Sequence, residues 1–270
     1  TTGGYQPSPT SNGGSAGHIP YVARYSPDLR TLLRATYFGK HASIPGGGQA
    51  GAPVPRALAV SSDSVYLTGG TYGTGDHVPG TAGGAQPAPG GGTYFSNNVP
   101  QDAFVARFSR DLTQLRQATY FGGSKDDTAW PIAVGEDGVY IAGQSISDLP
   151  GLANGAVNAA PMPAGTGAAY LAKFSLDLTQ VLATTWVSTG GGDMYPRAMA
   201  IGGDGSVYVG GDGGNGLFET SDAFQPVRGS GGFTADGFIV RASGDLSQIR
   251  RSTFLGGASD ERIDAMVFAE

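Results

Sequence analysis

The 270-residue chain contains no cysteine, only three histidines and few charged residues, which make up 14% of it. The absence of cysteine excludes disulfides, covalent haem attachment and thiolate metal sites. A formal net charge of −6 argues against nucleic acid or an anionic membrane as a partner, because both require clustered Lys and Arg. No apolar run approaches the length of a membrane-spanning helix, so we predict no membrane insertion.

Glycine and proline are abundant instead, with 47 Gly and 17 Pro. They separate apolar segments that alternate with period two, which is typical of turns and connections in a folded β protein rather than of a disordered tract. Low charge, no cysteine and abundant small polar residues together predict an extracellular or bacterial cell-surface location.

A four-residue motif, Ser-x-Asp-Leu, occurs four times with similar flanks. Its copies are Ser26-Pro-Asp28-Leu29, Ser109-Arg-Asp111-Leu112, Ser175-Leu-Asp177-Leu178 and Ser243-Gly-Asp245-Leu246. Intervals of roughly 65 to 85 residues indicate one supersecondary unit repeated along the chain. The repeats cover approximately residues 20–70, 102–144, 168–211 and 236–270, and Gly/Pro-rich joins connect them.

Each repeat has the pattern of four short strands. The first ends in a basic and, in three repeats, an aromatic residue, as in Asp102–Phe108, and the motif follows it as a turn. The second strand is rich in Thr and aromatics, and the third is mainly apolar, as in Pro131–Val134 and Asp264–Phe268. The fourth carries Val-Tyr, as in Val139-Tyr140. Four antiparallel strands per repeat predict an all-β chain in which each repeat is one β-propeller blade of a single domain over residues 1–270.

The second repeat carries the most informative segments. They are Asp102-Ala-Phe-Val-Ala-Arg107, Ala118-Thr-Tyr-Phe-Gly-Gly123, Asp126-Asp127, Ile132-Ala-Val134, Asp137-Gly138 and Val139-Tyr-Ile-Ala-Gly143. In these segments the chain resembles the bacterial SBBP repeat, named for a seven-bladed β-propeller. The resemblance extends over all four repeats, with departures at Trp186-Val187 and in the long loop 40–55. It implies large secreted or surface proteins with scaffold or interaction roles, and it implies no active site.

The fourth repeat has no counterpart of the Val-Tyr strand before Glu270. We therefore expect the last blade to lack its fourth strand and to expose an open edge at Ile263, Met266 and Phe268. Three explanations remain open: the sequence is part of a longer repeat protein, a short blade is covered by a loop, or another chain supplies the strand. The third would join copies head to tail into filaments by β-augmentation.

Acidic residues recur in the loop between the second and third strands of three repeats. They are Asp126, Asp127, Asp193, Asp260 and Glu261. Loop carboxylates can bind Ca²⁺, which takes six to eight oxygen ligands. The alternative, which we adopt, is that they cap loop N–H groups or pair with basic residues such as Arg107 and Arg241. We therefore predict no metal and no cofactor.

The residue patterns of common enzymes do not occur. No serine lies in a Gly-x-Ser-x-Gly elbow, and the glycine runs lack the Lys-Ser/Thr of a phosphate-binding loop. His18, His41 and His77 lie in separate loops without ligand spacing. We therefore predict no catalytic residue.

The predicted function is that of a non-enzymatic structural or interaction module that binds itself or another surface protein. The alternative is a propeller that binds or hydrolyses glycans through acidic and aromatic loop residues. Tyr72, Tyr94 and Phe95 are the aromatic candidates for that role. Tyr5, Tyr94 and Phe95 are also candidate interaction residues.

Overall fold

The computed structural model describes residues 2–11, 19–41, 53–72, 77–91, 101–152, 157–158, 167–189, 193–218, 220–229 and 235–269. Over these residues the chain is all-β, with sixteen strands and no helix, so no helix of the described residues could cross a membrane. The strands are β1 Thr10–Ser11, β2 Tyr21–Tyr25, β3 Leu32–Tyr37, β4 Lys40–His41, β5 Val54–Val60, β6 Ser64–Tyr72, β7 Gln101–Ser109, β8 Leu115–Phe121, β9 Asp127–Val134, β10 Val139–Ser145, β11 Ala168–Phe174, β12 Val181–Trp186, β13 Met194–Ile201, β14 Val207–Gly213, β15 Asp236–Ala242 and β16 Ile249–Leu255.

The chain divides into two compact units. Unit 1 comprises Thr1–Thr128 and Asp177–Gln180, and unit 2 comprises Ala129–Leu176 and Val181–Glu270. Unit 1 holds the two-stranded sheet β2-β3, the four-stranded sheet β5-β6-β7-β8 and a short parallel pair of β1 with β4. Unit 2 holds the four-stranded sheet β13-β14-β15-β16 and most of the sheet β9-β10-β11-β12. The prediction of a single domain stays a prediction.

The four-stranded sheets do not coincide with the repeats, and this part of the sequence-based prediction is wrong. Each sheet takes the third and fourth strands of one repeat and the first and second strands of the next, as β5-β6-β7-β8 does. The strand β6 pairs with β7 across the long join, from Ser64↔Ser109 to Tyr72↔Gln101. Among the described residues the last repeat contributes only β15 and β16, so its fourth strand is absent as expected. The expected open edge is wrong, because β13-β14-β15-β16 is complete and the two-stranded sheet is β2-β3.

The outer edge of β8 explains why the strands of one repeat do not close into a sheet. The Tyr120 N–H donates to the carbonyl oxygen of Gln86 at 3.0 Å, so a residue of the join occupies the edge where β9 would have to pair. The same backbone bond recurs at Tyr37, Trp186 and Phe254, whose N–H groups donate to Gln6, Asn158 and Gln225. Because these donors are satisfied, the next strand begins a new sheet.

The strand predicted at residues 264–268 is absent, since these residues have no regular secondary structure. The segment 261–269 instead lies against β14 and the β13-β14-β15-β16 sheet. The Ile263 N–H donates to the Gly211 carbonyl at 3.2 Å, and the ring of Phe268 lies 5.7 Å from that of Tyr208. No described strand is available to pair with this segment, so it packs on the sheet without joining it.

Both units have cores made from the alternating positions of these strands. In unit 1, Val22 and Phe38 of the first repeat pack with Phe104, Phe108 and Leu112 of the second. In unit 2, β13 packs across β10 and β11, and the core includes Leu171, Val209, Phe238 and Val240. The cores therefore form between neighbouring sheets.

Candidate functional site: the contacts between successive repeats

The Ser-x-Asp-Leu turn has the same conformation in every repeat. In the second copy Ser109 Oγ donates to Asp111 Oδ1 at 2.6 Å, and that carboxylate accepts the Thr113 N–H at 3.1 Å. The hydrogen bond from Ser109 is the main reason why the pKa of Asp111 falls to about 2. The leucine has a left-handed backbone each time, with φ of 58° at Leu29, 61° at Leu112, 63° at Leu178 and 60° at Leu246.

A left-handed leucine requires compensation, because this conformation costs an L-residue about 1–2 kcal/mol. The compensation is visible in three turns, where Leu112, Leu178 and Leu246 are fully buried. A one-residue register shift immediately before the motif, as between Arg107 and Phe108, accompanies each turn. In these three repeats the leucine of the turn is therefore part of the core.

We call the residue pairs 5–6, 85–86, 157–158 and 224–225 the hooks. In the first three hooks, the first residue donates its N–H to the carbonyl of the leucine in a later turn. These bonds run from Tyr5 to Leu112 at 3.0 Å, from Ala85 to Leu178 at 2.9 Å and from Val157 to Leu246 at 3.2 Å. Three copies of the same long-range bond show that the join of one sheet docks on the turn of the next sheet along the chain.

The second residue of each hook is an amide that anchors it. Its N–H donates to a threonine hydroxyl of the neighbouring strand, and the pairs are Gln6 with Thr36 at 2.8 Å, Gln86 with Thr119 at 2.8 Å, Asn158 with Thr185 at 3.1 Å and Gln225 with Thr253 at 2.9 Å. The Gln86 and Gln225 side chains also accept the N–H of Gly122 and Gly256. The anchor holds the preceding residue of the hook in place.

One hook and one turn are more exposed than their counterparts. Phe224 is the first residue of the last hook, and its side chain is 85% exposed, although Gln225 is anchored as in the other hooks. Leu29 belongs to the first turn and is 77% exposed, although its φ matches that of the buried leucines. In the other repeats the turn leucine is fully buried, and Tyr5 and Val157 of the hooks are 37% and 43% exposed.

The aromatic side chains of β2, the strand that precedes Leu29, are exposed as well. Phe104 and Phe108 are fully buried, and the ring of Phe38 lies 5.5 Å from each. Their counterparts in the first repeat, Tyr21 and Tyr25, are 64% and 50% exposed. An exposed cluster of large apolar side chains commonly marks an interaction surface.

A basic residue near the end of the first strand lies over the tyrosine of the Val-Tyr strand. The distances from the charged group to the ring centre are 5.8 Å for Arg107 and Tyr66, 5.3 Å for Lys173 and Tyr140, and 5.6 Å for Arg241 and Tyr208. Each of these basic side chains also forms a salt bridge with an aspartate of the turn before the Val-Tyr strand, namely Asp63, Asp137 and Asp204 respectively. Arg107 and Arg241 thus pair with these aspartates rather than with the acidic loop residues named above.

The acidic loop residues accept hydrogen bonds from nearby N–H groups. Asp126 accepts from Gln101 N–H at 3.1 Å and Asp127 from Gly123 N–H at 2.7 Å. Asp193 accepts from the Gln144 side chain at 3.1 Å, Asp260 from Ala235 N–H at 2.8 Å, and Glu261 from Gly257 N–H at 2.8 Å. No group of three or more acidic or histidine side chains suited to a metal ion occurs among the described residues.

Asp102 and Asp127 form a buried acidic pair, of which the sequence indicated only Asp127 as a candidate residue. A Cβ added to Gly122 would lie 2.2 Å from an oxygen of Asp102 and 2.6 Å from one of Asp127, so both carboxyl groups converge on this glycine. Burial raises the pKa of Asp102 to about 7, and the charge of Asp126 adds to the effect, although N–H groups of Gly90 and Gly91 oppose it. Both carboxyl groups are too deeply buried to reach a soluble substrate.

The structure places the other predicted residues as follows. Tyr5 opens the first hook, where its ring contacts Phe108 at 6.3 Å between centres. Ile263 and Met266 are half-buried over Gly210, and Phe268 is partly exposed, so they form no open strand edge. Tyr72 ends β6, while Tyr94, Phe95 and His18 lie outside the described residues. His77 is buried, with its N–H donating to Tyr120 Oη at 3.2 Å, and His41 lies in β4.

The hooks are the functional feature that sequence reasoning missed. A signal was present, because Gln-Pro occurs at residues 6–7, 86–87 and 225–226, always in a join. No family model matches the chain, and no curated protein matches it. The fold itself defines an all-β protein of repeated antiparallel sheets joined by one recurring contact.

Proposed function

We propose that the chain is a non-enzymatic structural and interaction module that acts outside the cell or on a bacterial surface, with its sheets arranged as blades of a β-propeller. One observation carries the proposal: the backbone bond from a hook to a turn leucine forms three times, while Phe224 is 85% exposed and Leu29 is 77% exposed. The partner is a second copy or another surface protein with the same repeat.

The chain's own internal contacts predict how two copies would meet. Tyr5 is the counterpart of Phe224, and Phe108 is the counterpart of Tyr25. The contact of Tyr5 with Phe108 therefore predicts that Phe224 of one copy packs on Tyr25 of another. The hook is anchored before binding, so little conformational entropy is lost on docking.

Because the chain has no cysteine, single introduced thiols test this contact directly. We expect a short bismaleimide to link a Phe224→Cys variant to a Tyr25→Cys variant when the two are mixed. Ser62→Cys, exposed on the hairpin between β5 and β6, serves as the matched control in place of Tyr25→Cys. Equal linking of both mixtures, or none in either, would refute the predicted contact.

Filaments formed by completing the fourth blade are no longer the proposed mode of assembly, because the last sheet has all four strands. Filaments in negative-stain images that disappear in a Phe224→Asp variant would support assembly through the hook. The glycan alternative has no specific observation in its favour, and saturable binding on a glycan array would be needed to revive it.

A further inference from the structure

We propose that the edge of β2 away from β3, with which no described strand pairs, is a binding site for an extended strand of the type Val-Tyr-aliphatic-x-Gly. This inference rests on the proposed interaction function and names the chemistry of one partner segment. It concerns the hydrogen-bonding edge of β2, whereas the hook contact concerns the Leu29 turn and the ring of Tyr25, so the two can fail independently.

The edge is defined by comparison with the other sheets. The strands β7, β11 and β15 are the counterparts of β2, and each is central in its sheet. On one side they pair with β8, β12 and β16, and on the other with the Val-Tyr strands β6, β10 and β14. Within the described part of the chain, β2 pairs only with β3. Unpaired edge groups are a template for strand addition.

A cavity lies beside this edge, where a strand would fit. Its volume is about 220 Å³, and its walls include Val22, Arg24, Leu58 and Val60. Leu58 and Val60 of β5 are 55% and 51% exposed. The strand β13 is the counterpart of β5 in the third repeat, and it packs across β10, the Val-Tyr strand of the preceding sheet. The apolar side chains of β5 therefore face the place where a Val-Tyr strand would lie.

The register of β6 with β7 predicts how the incoming strand would align. Val65 lies opposite Phe108, Tyr66 opposite Arg107, and Gly69 opposite Phe104. Transferred to β2, the valine faces Tyr25, the tyrosine faces Arg24 and the glycine faces Tyr21. The glycine leaves room for a ring, as at Gly211, where an added Cβ would lie 3.0 Å from Phe238.

Arg24 gives the site its selectivity for tyrosine. At the three corresponding positions a basic group lies 5.3 to 5.8 Å from the centre of a tyrosine ring. A tyrosine opposite Arg24 would complete a fourth such contact. The chain's own Val-Tyr strands cannot supply it, because β6, β10 and β14 are already paired on both sides. The donor is therefore a Val-Tyr strand other than these three, and the test supplies it as a separate peptide.

The test uses a fluorescent peptide with the sequence of Ser64–Tyr72 and the intact protein. We expect saturable binding by fluorescence anisotropy, with no binding of a scrambled peptide. Replacing the peptide tyrosine by alanine, or Arg24→Ala in the protein, should weaken binding by about three- to thirtyfold. Arg30→Ala, an exposed arginine nearby in sequence, is the charge-matched control and should leave binding unchanged.

Hydrogen exchange locates the bound peptide. We expect the amides of residues 21–25 to become protected when the peptide binds, while those of β16 do not change. Absence of saturable binding, equal binding of the scrambled peptide, or protection elsewhere would overturn the proposal. If the Phe224–Tyr25 cross-link still forms in that case, the proposed function stands and only the strand site is wrong.

Discussion

The left-handed leucines allow a matched pair of glycine substitutions with opposite expected effects on stability. Leu29 and Leu112 both lie in unit 1, and their φ angles are 58° and 61°. Their exposed fractions are 77% and 1%. The two sites therefore share backbone strain and differ in burial, so the variants Leu29→Gly and Leu112→Gly separate these two contributions.

Glycine removes the left-handed strain of about 1–2 kcal/mol. Its greater freedom in the unfolded chain costs about 0.5–1 kcal/mol. Leu29→Gly, which removes an exposed side chain, should therefore raise the free energy of unfolding by about 0.5 kcal/mol. Leu112→Gly also empties a buried site, for which removal of a leucine costs about 2–5 kcal/mol, so it should be destabilising by about 2–4 kcal/mol.

Urea unfolding of both variants, in dilute protein to avoid self-association, measures the difference through the transition midpoint and slope. The two variants should differ by about 3 kcal/mol. A loss of stability in Leu29→Gly equal to that in Leu112→Gly would refute the reasoning, because burial would then not distinguish the turns.

Asp102→Asn should change how stability depends on pH. The pKa of Asp102 is raised to about 7 in the folded protein, so the folded state binds more protons than the unfolded state between about pH 4 and 7, and stability falls as pH rises through that range. The variant should remove a fall of up to about 1.4 kcal/mol per pH unit, and an unchanged urea midpoint profile would contradict this. Gly210→Ala should displace residues 261–269 and speed tryptic cleavage after Arg262, because the new Cβ would lie 3.0 Å from Ile263. The control variant Gly203→Ala, with open space around the added carbon, should be cleaved by trypsin at the wild-type rate.

Local patterns predicted the strands well, because alternation and turn chemistry are properties of short segments. Asp102–Phe108 and Val139-Tyr140 lie in the strands β7 and β10, as expected. The turn predicted at the Ser-x-Asp-Leu motif is confirmed as well, and in it Asp111 accepts a hydrogen bond from the Thr113 N–H, two residues on.

Pairing between strands was harder to predict, because it depends on contacts distant in sequence. The four strands of a repeat could close on themselves or be shared between sheets with the same hydrophobic pattern. The bond from Tyr120 to Gln86, 34 residues away by number, decides between these arrangements. The left-handed conformation of the four leucines could not be predicted from the sequence either, since leucine is not a residue type expected at positive φ.

The offset between repeats and sheets has a consequence for how such an array can grow or shrink. Since every four-stranded sheet is built from two halves of neighbouring repeats, a duplicated stretch of one repeat length would enter with its first half completing one sheet and its second half starting another. Each new junction would reuse a hook and a turn that already fit. Gain or loss of a repeat thus requires no newly evolved interface, whereas a break within a repeat would leave two unmatched half-sheets.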